Sequence, residues 1–211
     1  MTRKNKHTGQ LITFEGIDGC GKSVQARKAF NYLKKLKKKV ILLREPGSSP
    51  VAEKLRKILL NKKLSIPDLT ELLLYEAARS ELTALKIKPA LANGLVVLCD
   101  RFYDSTTAYQ GYGRRLNIKM VKSLHKIATA NIVPDLTFVF DVDLKTAAKR
   151  RGKTPDRLES QSLAFHRRVR RGFQEIARIE KRRVKLIDSS PLPDAIFEQV
   201  KTILKRRLKL Q

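Results

Sequence analysis

The sequence predicts a doubly wound α/β fold, in which a five-stranded parallel sheet carries helices on both faces. Short apolar runs rich in Val, Ile, Leu and Phe alternate along the chain with longer helical stretches. Strands that are buried on both faces of a parallel sheet have this continuous apolar character. The alternation also supplies the helical crossover that joins each parallel strand to the next.

Five strands and eight helical stretches are expected. The first strand, 11–14, leads into a glycine-rich loop, and the helix after it ends in five lysines between positions 34 and 39, where cations suit the helix dipole. The other predicted strands are 40–43, 95–99, 136–140 and 184–187. The predicted helices are 23–38, 51–61, 69–91, 105–110, 118–128, 144–151, 162–182 and 194–208. Because no internal repeat or long linker interrupts them, we expect a single domain over residues 1–211.

The bulk composition argues against several classes of protein. The chain has 211 residues, 42% of them hydrophobic, which is enough for a full core. No apolar run approaches the roughly 20 residues that span a bilayer, and no signal-like apolar segment follows the basic N-terminal residues. Two cysteines, Cys20 and Cys99, do not suggest a disulfide framework and are expected to be reduced thiols. We therefore expect a cytoplasmic protein with no membrane partner.

The net charge of +26 is high for a chain of this size. Such a charge can mark a nucleic-acid-binding protein. Here the basic residues are spread along the chain, and aromatic residues make up only 6% and do not alternate with them as stacking platforms would. We expect a solvated basic surface that serves anionic small-molecule substrates, with nucleic-acid affinity at most incidental. A non-catalytic nucleotide- or nucleic-acid-binding protein is the alternative.

The loop after the first strand matches the phosphate-binding pattern G-x-x-x-x-G-K-[ST]. Its glycines let backbone N–H groups approach phosphate oxygens, and the following helix adds its positive N-terminal dipole. Lys22 can reach the β- and γ-phosphates, and the Ser23 hydroxyl can ligate Mg²⁺. Strand, loop and helix in this order predict a P-loop NTPase fold. The predicted ATP-binding positions in the loop are Gly16, Ile17, Asp18, Gly19, Cys20, Gly21, Lys22 and Ser23.

Charged residues also stand where other predicted strands end. Asp100 and Arg101 follow the third strand, at the sheet edge where open α/β folds bind ligands. A carboxylate there can hold Mg²⁺, and an arginine can clamp a phosphoryl group. Arg44 ends the second strand in the same way. Tyr75 and Arg79 lie four residues apart on one helix face, where they could hold a base, although Tyr75 could equally be an ordinary core residue.

Residues 149–171 are unusually rich in lysine and arginine, and Gly152 and Pro155 break the helical pattern there. This composition suits a mobile lid, at about 149–160, that closes over a triphosphate. An exposed basic turn is the alternative interpretation.

Together these segments resemble the thymidylate kinase family. The matching segments are 14–23, 44–47, 75–79, 88–91, 100–102, 108–111, 134–137 and 156–159. They follow the family's order and span nearly the whole chain. The resemblance implies ATP-dependent phosphorylation of dTMP to dTDP with Mg²⁺, by a homodimer built on helix packing. A kinase for another nucleoside monophosphate is the alternative enzyme.

The resemblance also implies roles for single residues. Tyr75 matches the aromatic that stacks on thymine, Arg79 contacts the base edge, and Tyr109 crowds the sugar 2′ position. The implied dTMP-binding set is Asp18, Arg44, Tyr75, Arg79, Arg101, Thr106, Tyr109 and Gln110. The implied metal ligands are Ser23 and Asp100.

The family has two variants, which differ in where the catalytic basic residues lie. Because the loop position is Gly19 and the lid is basic, this chain resembles the variant with those residues in the lid. The implied catalytic set is Lys22, Arg101, Arg150 and Arg157, with Arg151 binding ATP and Lys153 a further lid residue. The chain departs from the family pattern at Val24, at Ser48 and Ser49, and at Phe102, while Ser23, the implied Mg²⁺ ligand, is retained.

Overall fold

The computed structural model describes residues 8–151 and 155–210, so the predicted lid residue Lys153 lies outside the described part of the chain. All five predicted strands are present and form one parallel sheet in the order β2-β3-β1-β4-β5. The strands are β1 (Gln10–Gly16), β2 (Val40–Arg44), β3 (Val96–Asp100), β4 (Leu136–Asp141) and β5 (Val184–Asp188). The predicted α/β sheet is therefore confirmed.

Helices connect the strands as the alternation predicts. They are α1 (Lys22–Lys35), α2 (Pro50–Leu60), α3 (Asp68–Leu82), α4 (Lys88–Ala92), α5 (Tyr103–Thr106), α6 (Ile118–Ala128), α7 (Leu144–Arg150), α8 (Leu163–Ile179) and α9 (Pro193–Leu208). The single helix expected over 69–91 is interrupted by a π-helical turn, Thr83–Ile87, and the one expected over 105–110 runs as α5 into a π-helical segment, Thr107–Gly113. Within the described residues, no helix has the length and apolar character needed to cross a bilayer.

Aromatic residues of the central strands form the middle of the core. The ring of Phe14 on β1 lies 5.5 Å from that of Phe138 on β4, and Phe140 also stacks on Phe14. All three side chains are almost fully buried. Burial on both faces of the sheet explains why the strand sequences are continuously apolar rather than alternating.

The strand order determines where a ligand can bind. From β1 the chain crosses to β2 at the sheet edge, returns to β3 beside β1, and only then continues to β4 on the other side of β1. Such a reversal opens a crevice beyond the carboxyl ends of the central strands. The glycine-rich loop after β1, Asp100 at the end of β3 and Arg101 after it all lie at this crevice.

Candidate active site

The glycine-rich loop joins β1 to α1, and its backbone requires glycine at several positions. Gly16, Gly19 and Gly21 have φ angles of 138°, 84° and 89°, in the region that residues with a Cβ rarely adopt. Lys22 is the first residue of α1, and its side chain is 8% exposed. The predicted strand–loop–helix context of the phosphate loop is thus confirmed.

Gly19 is also packed against α7. A Cβ at Gly19 would lie 2.1 Å from the carbonyl oxygen of Ala147 and 3.0 Å from Cγ of Arg151. The contact leaves no room for a side chain at this loop position. It also brings Arg151 next to the phosphate loop, where an ATP-binding residue is expected.

We expect Gly19→Ala to lower the thermal unfolding midpoint clearly more than Gly21→Ala does. Both positions have a positive φ, so both substitutions introduce backbone strain of about 1 kcal/mol. Only Gly19 adds a clash with backbone, since a Cβ at Gly21 meets nothing within 4 Å. Thermal melts of the two ligand-free variants measure the difference, and equal midpoints would show that α7 does not press on the loop.

The Asp18 carboxylate is the charged group of the loop to which two cations and a hydroxyl are bound. It pairs with the Arg101 guanidinium, accepts a hydrogen bond of 2.7 Å from the Tyr109 hydroxyl, and lies 3.4 Å from Lys22 Nζ. Burial alone would raise the pKa of the Asp18 carboxyl, but the facing cations outweigh it and hold that pKa well below its usual range. The phosphate loop, the end of β3 and the segment after α5 therefore meet at one ionised carboxylate.

Arg101 reaches Asp18 because its backbone turns sharply after β3. Its φ of 72° lies in the left-handed region, and its N–H donates to the carbonyl of Phe14 at 3.0 Å. The Arg101 guanidinium also donates to the Gly16 carbonyl and to the Ser105 hydroxyl, both at 2.9 Å. A strained backbone that aims one charged side chain at the crevice is typical of functional sites.

Glu15 holds this turn from inside the core, a role that the sequence analysis missed. Its carboxyl is fully buried and accepts hydrogen bonds from the Phe102 N–H at 2.7 Å and the Ser105 hydroxyl at 2.6 Å. Burial, together with the nearby Asp104 carboxylate, raises the pKa of Glu15 to about 8. The sequence does contain one indication of this role, because Glu15 is a single acidic residue at the end of an apolar strand, directly before the phosphate loop.

We expect the stability of the wild-type protein to fall as the pH rises from about 4.5 to about 8 because of Glu15. In this window the native state keeps a proton on Glu15 that the unfolded chain has released, so ionisation favours unfolding. One proton contributes at most about 1.4 kcal/mol per pH unit. Glu15→Gln cannot ionise and should show a flatter dependence.

Denaturant unfolding of both proteins between pH 5 and 8 measures this difference. Burial also raises the pKa of Glu45, to about 7, so a residual slope of the same sign should remain in the variant. Parallel pH profiles of wild type and Glu15→Gln would contradict the assignment of the slope to Glu15.

A pocket opens beside Arg101 between α3 and the segment after α5. It is lined by Asp18, Glu45, Pro46, Arg56, Leu60, Tyr75, Arg79, Arg101, Phe102, Ser105, Thr106, Tyr109, Gln110, Asp156 and Leu158. We call it the acceptor pocket. It contains seven of the eight residues that the resemblance assigned to dTMP, which lie up to 92 positions apart in the sequence.

Arg79 is held rigidly at this pocket. Its guanidinium donates to Glu45 Oε2 at 2.8 Å, to Glu76 Oε1 at 2.7 Å and to the Thr106 hydroxyl at 3.0 Å. Tyr75, one turn earlier on α3, lines the same pocket with its ring half-buried. The prediction that Tyr75 and Arg79 lie on the same face of one helix is thus confirmed.

Arg44 is the member of the predicted dTMP set that does not line this pocket. It lies at the end of β2, about half exposed, and pairs with Glu53 at 2.6 Å. Arg56 of α2 lines the pocket instead and donates to the Pro46 carbonyl at 3.0 Å. The sequence analysis did not select Arg56, because no motif marks one arginine among the basic residues of α2.

A second pocket lies on the other side of the phosphate loop, with a volume of about 490 Å³. It is lined by Gly19, Cys20, Gly21, Lys22, Ser23, Val24, Gln25, Arg150, Ser190, Pro191, Leu192, Pro193 and Ile196. We call it the donor pocket. Its far wall, residues 190–193, follows β5 and was missed by the sequence analysis, which found no motif there.

The predicted lid arginines lie in different places. The Arg150 guanidinium donates to the carbonyls of Ser189 and Ser190, at 2.7 and 3.0 Å, and so borders the donor pocket. Arg157 turns inward, 8% exposed, to the Leu59 carbonyl and to Glu71. The expected catalytic roles of both remain predictions.

The residues expected to hold Mg²⁺ suit a cation that arrives with phosphates. Asp100 Oδ1 at the end of β3 is buried and has no hydrogen-bond partner among the described residues. Ser23 is exposed in the first turn of α1. Among the described residues, no group of three or more His, Cys, Asp or Glu side chains is placed so that it could hold a metal ion. Mg²⁺ is commonly bound in this way, by one or two protein ligands together with substrate phosphates and water.

A phosphate loop with one pocket on each side defines a P-loop phosphotransferase that holds two small phosphorylated substrates. A family model described as Thymidylate kinase matches residues 14–200. The chain belongs to the thymidylate kinase family.

Individual relatives agree with this assignment. Thymidylate kinase of Dehalococcoides mccartyi (strain CBDB1) is 47% identical over 193 residues, covering 90% of this chain and 93% of the relative. Thymidylate kinase of Nostoc punctiforme is 42% identical over 206 residues, covering 95% and 98%. The crystal structure of thymidylate kinase from Ehrlichia chaffeensis superimposes with a TM-score of 0.78 at 34% identity, covering 93% of this chain and 98% of that one. The resemblance and the P-loop fold predicted from the sequence are confirmed.

Proposed function

We propose that the chain transfers the γ-phosphoryl group of ATP to dTMP, giving dTDP and ADP. The observation that carries the proposal is the position of the phosphate loop between the donor and acceptor pockets, with Asp18 on one side of it and Lys22 on the other. Two substrates in these pockets would meet at the loop, as direct transfer requires. Membership of the thymidylate kinase family supports dTMP as the acceptor.

The reaction needs charge stabilisation rather than covalent catalysis. An oxygen of the dTMP phosphate forms a bond to the γ-phosphorus as the bond to the β–γ bridging oxygen breaks, and ADP leaves. The attacking oxygen is already anionic, so no general base is required. Lys22 and Arg101, which both contact Asp18 Oδ1, supply the positive charge. Mg²⁺ would neutralise further charge on the β- and γ-phosphates, and Ser23 and Asp100 would hold it.

The acceptor pocket supports recognition of a deoxynucleotide. Tyr75 would stack on the base, with Arg79 at its edge. The Tyr109 hydroxyl is tied to Asp18 at 2.7 Å, which holds its ring against the sugar position. Arg44 would join the phosphate contacts only by leaving Glu53.

Residues 149–160 are proposed to act as the lid within a single domain. Arg150, Arg151 and Arg157 are the described lid residues to which the sequence assigned a role, and Arg151 already touches the phosphate loop at Gly19. Closure over ATP would bring further positive charge to the donor side.

We also propose a cytoplasmic homodimer. Leu69 and Leu73 of α3 and Ile127 of α6 are exposed by 48%, 47% and 76%. Exposed apolar side chains on two neighbouring helices suit a helix-packed interface. Light scattering of the purified protein would measure the mass, and a monomer at micromolar concentration would contradict this part of the proposal.

A coupled assay of ADP release across dTMP, dUMP, UMP, CMP and AMP tests the reaction. We expect dTMP to give the highest kcat/KM. Preference for AMP or CMP would identify a kinase for another nucleoside monophosphate. No ADP release with any acceptor, together with steeply salt-dependent binding of DNA or RNA, would favour a non-catalytic nucleic-acid-binding protein.

A further inference from the structure

Glu71 of α3 is a fully buried carboxylate on which three other side chains converge, two from the segment after α5 and one from the loop before α8. Its Oε1 accepts from Gln110 Nε2 at 2.7 Å and from Arg114 Nε at 3.2 Å. Its Oε2 accepts from Arg114 Nη2 at 3.0 Å and forms an ion pair with Arg157 Nη1 at 2.6 Å. Both oxygens are therefore acceptors, and the two arginines would satisfy them without Gln110.

This arrangement determines which end of the Gln110 amide faces the acceptor pocket. A glutamine amide has a donating and an accepting end, and only the NH₂ group can pair with a carboxylate oxygen. Because Glu71 takes the NH₂ group, the carbonyl oxygen is left for the pocket that Gln110 lines. Reversing the amide would bring two oxygens together in a buried site, which is strongly unfavourable.

The end of the amide that faces the acceptor pocket can distinguish two classes of pyrimidine. Thymine and uracil carry an N–H donor at N3, whereas cytosine has an acceptor there. A fixed carbonyl oxygen accepts from the first class and faces the lone pair of the second, leaving buried polar groups unpaired.

We propose that Glu71 is a positioning residue that sets pyrimidine specificity by locking the Gln110 carbonyl toward N3 of the acceptor base. This inference rests on the proposed function, in which the acceptor pocket binds dTMP. Arg114 and Arg157 contribute by holding the carboxylate in place, and the Arg114 guanidinium is itself packed over the Phe165 ring at 4.9 Å.

The test compares kcat/KM for dTMP, dUMP and dCMP in wild type and Glu71→Gln. An amide at position 71 can pair with either end of Gln110, so the lock is lost while the shape is kept. We expect the dTMP-to-dCMP ratio to fall by roughly tenfold or more, the size of one misplaced buried hydrogen bond. The dTMP-to-dUMP ratio should not change, because both bases carry the N3 donor.

Arg168→Met is the matched control. Arg168 of α8 donates to the Gly113 carbonyl at 3.0 and 2.8 Å, at the end of the segment that carries Gln110, and not to Glu71. Its replacement should lower the melting temperature while leaving the dTMP-to-dCMP ratio unchanged. If Arg168→Met shifts that ratio as much as Glu71→Gln does, general loosening of the site explains the effect and the proposal fails.

Gln110→Met is the variant to measure if Glu71→Gln does not fold. It should lower the ratio by a similar factor, and in a Gln110→Met background Glu71→Gln should lower it no further. A ratio unchanged in either single variant would overturn the proposal about Glu71. A wild-type enzyme that does not phosphorylate dTMP would instead refute the proposed function.

Discussion

Replacing Lys22 with alanine is expected to lower kcat by roughly 10²–10³-fold, the usual effect of removing one preorganised group that stabilises transition-state charge. Lys22 is buried at the start of α1, between Asp18 and the donor pocket. Its ammonium group can turn from Asp18 to the β- and γ-phosphates, because the existing contact is long, at 3.4 Å. A steady-state assay of ADP release with saturating dTMP measures the effect.

Lys28→Ala is the matched control on the same helix. Lys28 is about one-third exposed and pairs with Asp194, outside both pockets. It should retain near wild-type kcat. Near-normal turnover in Lys22→Ala would refute the assignment of the loop as the site of phosphoryl transfer.

Replacing Arg101 with alanine is expected to have an effect of similar or larger size. The guanidinium pairs with Asp18 of the phosphate loop and borders the acceptor pocket, so it lies where that pocket meets the loop. Loss of the guanidinium removes positive charge that would stabilise the transferring phosphoryl group. It also leaves Lys22 as the remaining described cationic partner of Asp18, so that Asp18 draws Lys22 away from ATP. We expect kcat/KM for dTMP to fall by at least roughly 10²-fold.

Two controls separate charge from folding in this experiment. Arg101→Lys keeps a cation but loses the paired contacts with Asp18, Gly16 and Ser105, so it should recover only part of the activity. Arg178→Ala removes an arginine that is 71% exposed and should change little. Full activity in Arg101→Ala would remove this residue from the proposed mechanism.

The phosphate loop could be predicted because its requirements are local. Positive φ at Gly16, Gly19 and Gly21 is a property of the backbone at those positions, and the residue types follow directly from it. The pairing of Tyr75 with Arg79 could be predicted for the same reason, since helix geometry places positions four apart on one face. The strands could be predicted because burial on both faces demands apolar side chains at every position.

The acceptor pocket is predicted only in part by such local rules. Arg44 and Arg101 both follow strands and look equivalent in sequence, but the backbone turn at Arg101 and the partner Glu53 at Arg44 place only one of them at the pocket. The same limit applies to Arg157, since a basic lid residue and a buried partner of Glu71 have the same sequence signature.

The sequence by itself thus determined the α/β sheet, the phosphate loop and membership of the thymidylate kinase family, because each is written in a local pattern of residue types: continuous apolar runs, glycines at positive φ, and short motifs in the family's order. Only the tertiary structure decided that Glu15 supports the Arg101 turn, that α7 presses on Gly19, and that Glu71 orients Gln110. These contacts join residues that lie 39 to 128 positions apart in the sequence. The distance between such residues in space is determined by strand order and helix packing, not by local spacing. Hydrogen bonding and charge then determine what each side chain does, since a buried donor or acceptor is stable only where its partner lies.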